Sequence, residues 1–75
     1  MAVAFTRHAR GVTRFWGISY EDVLATIETP DSVLTTEKGR LNAIRRFETR
    51  YLRVTYTKQQ DDILVITVTL RRRPW

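Results

Sequence analysis

His8 is the single histidine in a chain of 75 residues that contains no cysteine. Histidine is the side-chain type that ordinarily changes charge between about pH 5 and 8, so it is the first candidate for moving a proton. Its setting matches no familiar catalytic motif. The sequence holds no Walker loop, dinucleotide fingerprint, His-Glu-x-x-His pair or paired Cys motif. One histidine among scattered Ser and Asp residues does not spell a Ser/His/Asp triad, and a structural zinc site would lack its ligands. What remains open is metal-free acid–base work on a phosphodiester. Ribose brings its own nucleophile, the 2′-hydroxyl, so such a site needs a base near that group, a cation near the phosphate and a proton donor near the leaving oxygen. No cofactor is called for.

Cations are plentiful. The net charge is +5, and eleven of the thirteen basic residues are Arg. Arginine's planar fork holds phosphate at two points and stacks on bases, whereas lysine commonly serves plain solubility, so the bias favours a polyanion partner over a merely solubilising surface. Within that set Arg53 lies between Leu52 and Val54 in a strand-like run, and alternation turns its side chain away from theirs. It reads either as a phosphate clamp or as an ordinary solvated charge. His8 likewise has a plainer alternative, a buried ring satisfied by a backbone partner.

Two helices must position the histidine. Thr6 is a good N-cap for a helix reaching Trp16, with Gly17 placed for a left-handed stop. At 100° per residue Phe5, His8, Ala9, Val12, Phe15 and Trp16 fall within about 120° of arc. Arg7, Arg10 and Arg14 cluster within about 60° on another side as a basic stripe, a candidate RNA-binding surface. Ser19, with Asp22 at the third helical position, opens a second helix through about Glu28. Tyr20, Val23, Leu24 and Ile27 form its apolar arc, and Pro30 with Asp31 turns the chain.

From Ser32 onward the period changes to two. Strands are expected over 32–37, 40–47, 50–57 and 63–71, joined by Lys38-Gly39, Glu48-Thr49 and a polar loop from Lys58 to Asp62. Short links between neighbours imply an antiparallel meander. The fold class is α+β: two N-terminal helices packed on one face of a three- to four-stranded antiparallel meander. Leu52, Val54, Tyr56, Leu64, Ile66, Val68 and Leu70 should face the helices. Tyr51, Arg53, Thr55, Ile63, Val65, Thr67, Thr69 and Arg71 should form the opposite face, where rings stack bases and guanidinium groups hold phosphates. Ile63 and Val65 there suggest cover by a partner. Arg45 and Arg46 are consecutive, so one of these two candidate RNA contacts must turn toward the helix-covered side or the rim. Arg71, Arg72 and Arg73 extend a basic edge toward Trp75.

The length fits one domain spanning 1–75, with a core so small that a partner chain is the natural further source of stability. The longest apolar run, from Ile63 to Leu70, falls far short of the ~18 residues that span a bilayer, so no membrane association is expected. The start has no basic leader followed by an apolar segment, which makes a cytoplasmic location the default expectation.

Specific residues, taken in order, also resemble a known family. Phe5-Thr6-x-His8-Ala9, Gly17-Ile18-Ser19-x-Glu21-Asp22-Val23, Pro30, Gly39-Arg40, Arg50-Tyr51-Leu52-Arg53-Val54 and Val65-Ile66-Thr67-Val68 together resemble a widespread small prokaryotic domain of unassigned function. That family is similar in fold to the ribonuclease toxins of barnase, colicin and RelE type. The resemblance covers nearly the whole chain. It implies an endoribonuclease-like scaffold, with His8 as acid or base, Arg53 and Thr67 as strand residues of the site, RNA as substrate, and an antitoxin protein or a second copy of the chain as partner. One departure stands out: the family often carries arginines four and eight residues after the histidine, where this chain has Val12 and Trp16. A copy that binds RNA without cutting, or serves as a protein-interaction module, is the alternative.

Overall fold

The computed structural model describes residues 2–36 and 38–74. The first helix, α1 (Arg7–Trp16), starts where the Thr6 hydroxyl accepts from the Ala9 N–H at 3.0 Å. It stops at Gly17, whose φ of 66° lets its N–H reach Arg14 O at 3.3 Å while Ile18 N–H reaches Thr13 O at 2.9 Å. These two bonds satisfy carbonyls that the helix end leaves open. The second helix, α2 (Tyr20–Glu28), is capped by Ser19 Oγ accepting from Asp22 N–H at 3.1 Å, with Glu21 and Asp22 on its electropositive end.

The sheet has five strands. In chain order they are β1 (Val3–Phe5), β2 (Ser32–Thr35), β3 (Leu41–Phe47), β4 (Arg50–Gln59) and β5 (Asp62–Arg71), arranged β1-β5-β4-β3-β2. The fold class is α+β, and strands β2 to β5 form the expected antiparallel meander. The sheet as a whole is mixed, which corrects the expectation of three or four antiparallel strands. Residues Val3 to Phe5 pair in parallel with Ile63 to Val65. Phe5 therefore ends a strand rather than opening the apolar arc of α1. The physical reason is that β5 offers an open edge to the chain's own start: Ile63 N–H donates to Ala2 O at 2.9 Å and Thr6 N–H to Val65 O at 3.0 Å. The expected first meander strand is shorter than read, ending at Thr35, and Glu37 lies outside the described residues.

Both helices turn side chains into one core. Ala9 of α1 and Val23 of α2 are buried with Ala43, Leu52, Val54, Tyr56, Ile63, Val65 and Val68. Thr26 is also fully buried, its hydroxyl donating to Asp22 O at 2.8 Å, while Tyr20 is half exposed. The buried arc of α2 is thus rotated toward Thr26, which can enter an apolar core because its hydroxyl is satisfied within the helix. On α1 the expected arc narrows. Phe15 and Trp16 are exposed at 79% and 48%.

A register shift changes the sheet's faces. Thr55 pairs with Thr67, but the next residue, Tyr56, pairs with Val65, leaving Ile66 as the extra residue on β5. Strand alternation reverses at such a bulge. Ile63 and Val65 consequently join Val68 in the core and Leu64 is 41% exposed, the opposite of the face assignment read from the sequence. The apolar patch that would have called for a covering partner is inside the molecule. No helix among the described residues is long and apolar enough to cross a membrane.

Candidate functional site

Beyond the bulge, the face of the sheet away from the helices carries three cross-strand rows. Asn42, Thr55 and Thr67 stand opposite one another on β3, β4 and β5. Ile44, Arg53 and Thr69 form the next row, and Arg46, Tyr51 and Arg71 the third. Neighbouring strands lie ~4.8 Å apart and same-face residues on one strand ~6.8 Å apart, so Arg53 sits one step diagonally from Thr67.

His8 closes the first row. Its Nε2 lies 3.1 Å from Thr67 Oγ1, although 59 residues separate them in sequence. The placement follows from how α1 begins. β1 stops at Phe5, and the Thr6 hydroxyl donates to Ile66 O at 2.9 Å, tying the start of α1 to the bulge. The first turn of α1 then lies beside the stretch of β5 that β1 does not cover. His8 is exposed and held by a side chain, so it is not the buried, backbone-satisfied ring that was the plainer alternative.

Across the row Thr55 Oγ1 donates to Asn42 Oδ1 at 2.5 Å. Thr36, Lys38, Arg40, Asn42, Arg53 and Thr55 line an open cleft of about 450 Å³ on the same face. Three cations around such a cleft make it a setting for an anion. Arg53 Nε is itself buried, while the other two cations of the cleft, Lys38 and Arg40, are exposed.

No family model, no curated protein and no solved structure matches the chain. The chemistry available is that of the residues themselves.

The structure gathers His8, Thr67, Arg53, Tyr51, Arg46 and Arg71 on or beside one face. Arg46 Nε donates to Glu48 O at 2.9 Å, and its guanidinium lies over the Tyr51 ring with 6.0 Å to the centroid. Arg72 follows β5 and is exposed. Arg7, Arg10 and Arg14 lie apart, on the outer face of α1. Arg45 is on the helix-covered side. Its Nη1 donates to Ala25 O at 3.3 Å and to the Thr29 hydroxyl, and its guanidinium stacks over Phe47.

Asn42 was missed in the sequence, as was the part played by Lys38 and Arg40. The alternation Arg40, Asn42, Ile44, Arg46, which starts just before β3 and runs along it, is the signal that could have shown them. Among the described residues no group of three or more His, Cys, Asp or Glu is placed to hold a metal ion.

Proposed function

We propose that the open sheet face handles RNA phosphodiesters, as a metal-independent endoribonuclease-like site with His8 as the proton-transfer group. The observation that carries this reading is the 3.1 Å contact between His8 Nε2 and Thr67 Oγ1 beside a basic cleft. In the tautomer that donates from Nε2 to Thr67, Nδ1 keeps its lone pair and can accept a proton. The ribose 2′-oxygen then bonds to phosphorus as its proton passes to Nδ1. The bond from phosphorus to the 5′-oxygen breaks, and that oxygen takes a proton from solvent at the open face. The products are a 2′,3′-cyclic phosphate and a 5′-hydroxyl. Arg53, one diagonal step from Thr67, offsets the charge that builds on the phosphoryl oxygens.

RNA binding without cutting is the second reading. It is favoured by Val12, which packs against the core one turn after His8 and supplies no cation there.

Matched oligonucleotides separate the two. Wild-type protein should cut an RNA strand to cyclic-phosphate ends and leave its 2′-O-methyl counterpart whole. Cleavage of both would exclude the 2′-hydroxyl as nucleophile, and binding of both without cleavage would establish the second reading.

A further inference from the structure

The outer face of α1 carries three features that the fold itself does not require. Arg7, Arg10 and Arg14 line one open groove with Gly11. Like charges at these spacings repel, Arg7 opposes the helix dipole in the first turn, and among the described residues none of the three has a carboxylate partner. Gly11 sits inside the helix, where glycine weakens it relative to alanine, yet an added Cβ there would meet nothing within 4 Å. Phe15 leaves 79% of its surface in water, edge-on to Trp16 with ring centroids 5.1 Å apart.

The three features adjoin. At 100° per residue Gly11 lies about 40° from Arg7 on one side and about 40° from Phe15 on the other, with His8 about 20° beyond Phe15. A cationic stripe, a notch bare of side chains and an exposed ring form one surface. Duplex nucleic acid would satisfy the arginines but hides its base faces, and the carboxylates of an acidic peptide offer no flat ring to stack. A single strand offers both phosphates and open bases.

We infer that the outer face of α1 is a track for single-stranded RNA. The guanidinium groups of Arg7, Arg10 and Arg14 hold phosphates, the missing side chain at Gly11 admits the strand's backbone against the helix, and Phe15 stacks a base. Gly11 and Phe15 follow His8 by about 4.5 and 10.5 Å along the helix axis, so the track leads to the His8–Thr67 pair. The inference rests on reading that pair as an RNA site, but binding alone can test it.

The probe is a labelled 2′-O-methyl oligouridine of about ten nucleotides, within the usual footprint of a single-strand site and resistant to cutting. Fluorescence anisotropy should show it binding more tightly than a duplex of equal length. Phe15→Ala should weaken it roughly tenfold. Gly11→Gln should weaken it comparably while raising the melting temperature, and Arg10→Gln should flatten the salt dependence. Equal affinity for duplex and single strand would overturn the track, as would Phe15→Ala and Gly11→Gln variants that bind like wild type. Binding of a poly-glutamate peptide at least as tightly would assign the face to an acidic protein instead. Phe15-dependent binding in a protein that cuts no RNA would keep the track and remove the catalytic reading. Cutting that persists while both variants bind like wild type would do the reverse.

Discussion

The Thr67 hydroxyl lies 3.1 Å from His8 Nε2 and is the one hydrogen-bond partner of that ring among the described residues. Thr67→Val keeps the branched shape that suits a strand and exchanges the hydroxyl for a methyl group. The variant should fold with near wild-type stability and lose cleavage about tenfold, close to 1.4 kcal/mol of transition-state stabilisation. Unchanged turnover by a folded Thr67→Val protein would show that the threonine does not orient the ring.

Arg45 lies on the helix-covered side of the sheet and its neighbour Arg46 on the open face. Its guanidinium closes the C-terminal end of α2 on Ala25 O and Thr29, where a positive charge is favourable. Arg45→Met should cost about 1–2 kcal/mol in urea unfolding and leave RNA affinity unchanged. Arg46→Met should do the opposite, with little loss of stability and weaker binding. The reverse pattern would mean that Arg45, and not Arg46, contacts RNA.

Two hairpins turn on non-glycine residues in left-handed backbone, Glu48 at φ 54° and Gln60 at φ 55°. Both are two-residue links, between Phe47 and Arg50 and between Gln59 and Asp62. Such conformations favour Gly or Asn. Glu48→Gly should raise stability by about 0.5–1 kcal/mol, read as a higher denaturant midpoint at constant slope. A lower midpoint would mean that the Glu48 side chain stabilises the turn in a way its backbone angle hides.

Burial pushes the Tyr56 phenol above its ordinary value of 10.0. A folded-state pKa above the unfolded one means that the folded protein holds the proton longer, so stability is fully present below about pH 10 and falls as pH rises past it. Tyr56→Phe should flatten the decline in melting temperature between neutral pH and pH 11 relative to wild type. Parallel curves for the two proteins would refute the linkage.

The caps were legible because they are local. Thr6, Gly17 and Ser19 act on backbone groups within a few residues, and α1 begins and ends, and α2 begins, where those residues place them. The antiparallel meander was legible through its alternation. Strand β1 was not, since three residues show no period and their parallel partner is about 60 residues away in the chain. The bulge at Ile66 was equally hidden: nothing in Leu64-Val65-Ile66-Thr67 marks where alternation breaks, and a one-residue shift exchanges the faces of Ile63 and Val65 with that of Leu64. The same event decides the candidate site. Thr67 lies beyond the bulge and stays on the open face. The arc of α1 placed His8 near the helix–sheet seam without revealing that the seam is open there.

The most direct test of the account is incubation of the purified protein with labelled total RNA in EDTA, beside a His8→Ala variant shown by circular dichroism to fold. The account predicts cleavage by the wild-type protein alone. Equal cleavage by a folded His8→Ala variant would contradict it.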